Sequence, residues 1–166
     1  MVAAAKKSIQ VAVVMGSKSD WDSMKNAADT LAAFGISYEA RVLSAHRAPQ
    51  ELHAWLAGLA ARGCKVVIAG AGGAAHLAGV CASQVVIPVI GVPMMTKSLG
   101  GMDSLLSTAQ MPKGIPVATV AIGDAGAANA AFLAAQILAL SDKKLAAALA
   151  AKRADDQAKI AAERLE

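Results

Sequence analysis

Three short stretches of this chain carry residue types that can bind or move charge. Gly16-Ser17-Lys18-Ser19-Asp20 follows an apolar run directly. Glycine permits a tight turn, serine hydroxyls and free amides can hold a phosphate, and the dipole of a helix starting there adds attraction. Asp20 beside such a cradle can accept hydrogen bonds from ribose hydroxyls. The same residues also fit an ordinary strand-to-helix turn, with Ser19 as its cap and Asp20 as a favourable charge at the helix start. Ser44-Ala45-His46-Arg47 follows a second run. Arginine next to serine suits two-point phosphate binding, and imidazole is the side chain that exchanges protons near neutral pH. A structural loop histidine is the competing reading of His46. Gly70-Ala71-Gly72-Gly73-Ala74-Ala75 ends at His76, and a loop of such small residues lets backbone approach a ligand closely.

Other chemistries lack their signatures. Neither GxGxxG nor GxxxxGK[ST] is present, so dinucleotide and Walker-type nucleotide sites lose their main support. No GxSxG elbow presents Ser17 or Ser44 as an acyl-transfer nucleophile. His46, His53 and His76 lack metal-ligand spacing and no carboxylate cluster accompanies them, so no metal is expected; His53 reads as a mid-helix surface residue. Cys64 and Cys81 sit in apolar context without CxxC spacing. They read as buried, reduced thiols of a cytoplasmic protein.

The elements that must position these stretches alternate strand and helix. Ile9–Met15 is a β-rich run ended by Gly16, and Ser19 begins an S-x-x-D helix start with Asp22, the helix closing at Gly35. Ile36–Leu43 alternates apolar and polar residues, the pattern of a strand with one wetter face, near an edge. Pro49 opens a second helix that Gly63 closes. Cys64–Ala69 is a third strand, Ala74–Gln84 a third helix, and Val85–Val92 a fourth strand interrupted by Pro88. Met102–Met111 is helical and Pro116–Ile122 is a fifth strand. The expected fold is α/β: one three-layer, doubly wound domain with a five-stranded parallel sheet plus a C-terminal helix; alternation does not fix the strand order, and the flavodoxin-like 2-1-3-4-5 is taken by analogy. In such sheets ligands bind beyond the carboxyl ends of the strands, where all three stretches fall.

Composition bounds the rest. The 166 residues suit one domain, 56% hydrophobic and 17% charged, which excludes overall disorder. About a quarter of the chain is alanine, Gly adds 14, and Trp21, Phe34, Tyr38, Trp55 and Phe132 are the only aromatics. Small side chains bury little area each, so stability must come from close backbone approach or from contact with copies of the chain. Val66–Met95 carries no Asp, Glu, Lys or Arg, yet Gly and Pro break it too often for a spanning helix. Met1–Gln10 has no apolar segment and cleavage site, so no export signal is expected. Net charge is +4, but residues 1–141 hold 10 basic and 7 acidic groups and 142–166 hold 6 and 5. That balance suits small anionic ligands better than a nucleic-acid backbone. Gly126–Leu140 has no charge on any face, which implies burial against another subunit in a closed homo-oligomer. The division expected is a catalytic domain over 1–141 and a helical extension over 142–166, packing on a neighbouring subunit; a frayed tail is the competing reading of 142–166.

GSKSDW (16–21), SAHRAP (44–49), AGAGGAAHLAG (69–79), GMDSLLS (101–107), QMPKGIPVATVAIG (110–123) and GAANAAFLAAQILAL (126–140) together resemble the PurE family, the N5-carboxyaminoimidazole ribonucleotide mutases of bacterial purine biosynthesis. The resemblance runs from about Ile9 to Leu140, and Arg47 matches the mutases where the related CO2-using carboxylases typically show lysine. It implies a cytoplasmic, cofactor-free and metal-free isomerase, octameric in family terms, that moves a carboxylate from an exocyclic nitrogen to a ring carbon. By match to the family motifs, Ser17, Ser44 and Arg47 would hold the 5′-phosphate and Asp20 the ribose hydroxyls. His46 would be the general acid/base, and the loop carrying Ala71, Gly72 and Leu77 would close over base and carboxylate. The family commonly has proline where Ala78 stands, which implies a more mobile loop end here. Two other readings compete: a same-fold carboxylase that takes CO2 directly, and a flavodoxin-like module that binds FMN or a nucleotide without chemistry.

Overall fold

The computed structural model describes residues 8–165, so most of the Met1–Gln10 stretch lies outside the described residues. Five strands, β1 (Val11–Met15), β2 (Tyr38–Val42), β3 (Val66–Ala71), β4 (Val89–Pro93) and β5 (Ala118–Thr119), form one parallel sheet. Their order is β2-β1-β3-β4-β5, the flavodoxin-like order expected by analogy, which the alternation of runs does not by itself fix. Six helices complete the fold: α1 (Trp21–Ala33), α2 (Pro49–Ala57), α3 (Leu77–Gln84), α4 (Met102–Ala109), α5 (Gly123–Ala139) and α6 (Lys143–Ala162).

The central strands are apolar on both faces because helices cover both. Val11, Val13 and Met15 point to one side, against Met24, Ala27 and Leu31 of α1 and the alanines of α5. Ala12 and Val14 point to the other, against Leu52 and Leu56 of α2 and Leu77 and Cys81 of α3. β2 lies at an edge, its residues half-buried or exposed, which its alternating sequence anticipated. Glu39 on that edge is ion-paired to Arg62 and Arg41, and these cations hold its carboxyl below the usual range despite burial.

Several boundaries differ from expectation. The cap before α1 is Ser17, not Ser19: Ser17 and Asp20 form a reciprocal capping box around the 3-10 turn Lys18–Asp20, one turn before the expected start. The second helix stops at Ala57, and a separate 3-10 turn (Ala60–Arg62) leads to left-handed Gly63. The third begins at Leu77, leaving Ala74–His76 to the preceding loop. β5 pairs over two residues instead of seven. It has a neighbour on one side only, and Pro116 has no N–H to donate to a ladder.

α5 finds much of its burial within its own chain. Gly126, Ala127, Ala130, Ala131, Ala134 and Ala135 are buried on one face, against α1 and the sheet. A methyl group on Gly126 would collide with the Ala121 carbonyl, so only glycine lets the helix start so close to the strand before it. Leu145 and Leu149 of α6 pack on the same core, while α6 from Ala150 onward is exposed. No described helix is long and apolar enough to cross a membrane.

Candidate active site

The loops after β1, β2, β3 and β4 converge at the carboxyl edge of the sheet around a cavity of about 430 Å3. Its lining includes Ser17, Asp20, Ser44, His46, Arg47, Ala71, Gly72 and Leu77, every residue that the family resemblance assigns to the site. The ends of β1 and β3 bring their loops together, with Gly16 N–H donating to the Gly70 carbonyl at 3.2 Å.

The loop after β1 holds itself. Ser17 Oγ accepts from Ser19 N–H at 3.3 Å, and Asp20 Oδ2 accepts from Ser17 N–H at 3.1 Å. Burial raises the Asp20 carboxyl above its ordinary range, partly offset by that N–H bond and the Arg47 charge. Arg47 closes the cradle from the second loop. Its Nη2 donates to the Gly16 carbonyl at 2.7 Å and its Nε to Ser44 Oγ at 3.4 Å, while Ser44 Oγ also accepts from Arg47 N–H at 3.2 Å. Serine hydroxyls, a guanidinium and a carboxylate thus share one wall, a set able to bind an anion and vicinal hydroxyls.

His46 lies in the same loop, one residue before Arg47. Its Nε2 is 3.0 Å from Nδ1 of His76, with the two rings nearly perpendicular at 85°. The sequence marked His76 only as the end of a glycine-rich loop. His53 behaves as expected: it is exposed on α2, its ring bonded to Gln84 of α3 at 2.8 Å.

The loop after β3 has no polar side chain between Ala71 and Ala75 and is held by α4 instead. Ser104 Oγ accepts from Gly73 N–H at 2.9 Å, and Ser107 Oγ accepts from Ala75 N–H at 3.0 Å and donates to the Gly73 carbonyl at 3.0 Å. Gly73 is left-handed, and a side chain on Gly72 would press on Met94 at 3.1 Å. Ser104 and Ser107 fall inside the GMDSLLS motif but carried no assignment of their own. Met94, Met95 and Thr96 also line the cavity and were missed. The signal was available: they follow a strand at the same edge as the other three loops.

Cys64 and Cys81 are both free and buried, and burial pushes the Cys81 thiol up to about 12. Among the described residues no three His, Cys, Asp or Glu side chains come together as metal ligands would.

Known proteins resemble this chain over most of its length. An N5-carboxyaminoimidazole ribonucleotide mutase of Brucella melitensis is 61% identical over 142 residues, 86% of this chain and 88% of that protein. The protein of the same name from Bacillus subtilis is 54% identical over 143 residues, again 86% and 88% of the two chains. The crystal structure of Treponema denticola PurE superposes with a TM-score of 0.83 at 32% identity, covering 91% of this chain and 93% of that one. The family profile described as AIR carboxylase matches residues 10–159, a span that takes in the whole sheet and all four site loops. With that match, and with relatives above half identity over nearly their full length, the chain belongs to the AIR carboxylase family.

Proposed function

We propose that the protein is an N5-carboxyaminoimidazole ribonucleotide mutase, an isomerase that converts its substrate to 4-carboxyaminoimidazole ribonucleotide in purine biosynthesis. The names of the relatives support the reaction. The observation that carries the assignment of roles is the adjacency of His46 and Arg47 in one loop, facing one cavity with the Ser17–Asp20 cradle. Ser17, Ser44 and Arg47 bind the 5′-phosphate, and Asp20 accepts from the ribose hydroxyls. Ala71, Gly72 and Leu77 form the wall against base and carboxylate.

His46 acts as general acid and then as general base. The exocyclic N–C bond breaks, its electrons return to nitrogen, and the His46 imidazolium protonates that nitrogen. The CO2 released is small and apolar, and the close-packed wall keeps it beside the ring. The ring carbon attacks CO2, and neutral His46 removes the proton from that carbon, which regenerates the imidazolium. No external acid is consumed, so one histidine serves both steps.

The test is a spectroscopic assay with N5-carboxyaminoimidazole ribonucleotide. Wild type should turn it over, and His46→Gln should lose about 100- to 10,000-fold in kcat. Full activity in the variant overturns the acid/base role. Carboxylation that depends on bicarbonate, without turnover of the N-carboxylated substrate, would identify a CO2-using carboxylase instead. A yellow protein inert in both assays would identify a flavin-binding module.

We also propose a cytoplasmic homo-oligomer, an octamer by family resemblance, with residues 142–166 packing on a neighbouring subunit of the 1–141 domain. Exposed Leu140, Ile160 and Leu165, together with the largely uncovered α6, support that packing. Light scattering that finds a stable monomer at micromolar concentration would overturn it.

A further inference from the structure

We propose that His76 is a positioning residue for His46, fixing it as the Nε2–H tautomer and reserving Nδ1 as the nitrogen that exchanges a proton with substrate. The inference rests on the acid/base role proposed above. An N···N separation of 3.0 Å holds only if one nitrogen carries a proton and the other a lone pair. Two lone pairs or two N–H groups would repel, so the tautomers of the two rings are tied together.

Two arrangements of neutral rings satisfy the contact, and the reaction cycle separates them. If His46 Nε2–H donates to His76 Nδ1, the bond survives when His46 becomes an imidazolium and grows stronger by charge assistance. If His76 Nδ1–H donates instead, protonation of His46 at Nε2 places two N–H groups face to face and breaks the contact. Only the first arrangement persists through both protonation states, and there Nδ1 is the free nitrogen. Among the described residues the His46 ring has no other hydrogen-bond partner.

His76 is built to be the fixed member. Its N–H donates to the Ala74 carbonyl at 2.8 Å, and its own carbonyl accepts from Val80 N–H at 2.9 Å as the cap of α3. The preceding Ala75 is tied to Ser107 of α4. The charged groups lining the cavity are engaged elsewhere: Arg47 with Gly16 and Ser44, and Asp20 with Ser17 N–H. His76 therefore carries into the site the rigidity of α3 and α4, to which, among the described residues, no other hydrogen bond ties the His46 loop.

The test combines ring 15N NMR of the assembled, substrate-free protein with steady-state kinetics. The expected spectrum shows His46 as the Nε2–H tautomer in wild type and as a tautomer mixture in His76→Ala. That variant should lose about 10- to 100-fold in kcat with KM little changed, as expected for a lost orienting partner. His76→Asn, whose amide oxygen can accept near the position of Nδ1, should recover most of kcat. His46 as the Nδ1–H tautomer in wild type overturns the proposal, as does wild-type kcat in His76→Ala. Because His76 is exposed, neither variant removes core packing. Wild type that leaves the substrate unchanged would defeat the functional reading alone, and the tautomer measurement would still decide this one.

Discussion

The loops after β1 and β3 leave adjacent strands and face the same cavity, but they are held by opposite means. The first is its own scaffold: Ser17 and Asp20 bond to each other's turn within four residues. The second has no polar side chain from Ala71 to Ala75 and takes its hydrogen bonds from Ser104 and Ser107, about thirty residues away on α4. A self-bonded loop can offer its hydroxyls to a ligand and remain folded. A loop of alanine and glycine leaves room for a substrate and excludes water, but only while another helix supplies its partners. Affinity and closure are thereby assigned to different parts of the chain.

Substitutions can break or sharpen this contrast. The largest effect is expected from Ser17→Ala, which would remove a hydrogen bond to the charged phosphate proposed to bind there. KM should rise about 10- to 100-fold, while the lost cap costs about 1 kcal/mol of stability. If stability falls and KM does not, the loop is only a turn. Ser107→Ala strands the N–H of Ala75, a fully buried residue, and should cost about 1–3 kcal/mol in denaturant melts. Unchanged stability would mean that α4 does not hold the loop.

A smaller, kinetic signature is expected at Cys81, which is buried in α3 directly after the second loop, its thiol at about 12. Alkylation requires α3 to open, so Ser107→Ala should speed labelling of native protein while Ser17→Ala should not. The smallest effect concerns Asp20. Its carboxyl is raised by burial, so its protonated form stabilises the fold at low pH and that contribution fades as pH rises through its folded value. Asp20→Asn keeps the acceptor for Ser17 N–H and removes the charge. It should melt slightly higher than wild type at neutral pH, with the difference vanishing below the ordinary carboxylate range. A lower melting temperature at neutral pH would show that the charge itself supports the cradle.

The same contrast explains what could be read from the sequence. Parallel strands buried on both faces leave uninterrupted Val/Ile runs, and glycine marks their ends, so the parallel sheet was legible; its strand order was not, and rested on analogy with flavodoxin-like folds. So was the first loop as a turn, because its polar groups and its support share five residues; only its cap slipped, from Ser19 to Ser17. The support of the second loop was not legible, since Ser104 and Ser107 look like ordinary helix residues until the fold brings α4 against β3's loop. His76 was hidden similarly: its partner lies thirty residues away, and neither ring signals the pairing by spacing. β5 was overdrawn because β-prone residues at a sheet edge lack the second neighbour that would extend their pairing.

Arg47 has a consequence that reaches beyond its own bonds. Its guanidinium ties the histidine-bearing loop to the Gly16 carbonyl. An anion entering the Ser17–Ser44 cradle must compete for that guanidinium or join it, so occupancy of the cradle and placement of the loop are thermodynamically linked. Linkage is reciprocal: inorganic phosphate alone should shift the resonances of the loop, and any change that moves the loop should alter phosphate affinity by the same factor. A nucleoside without its phosphate would then suffer twice, once in binding and again in turnover, because the group farthest from the chemistry would help to set the ring proposed to perform it.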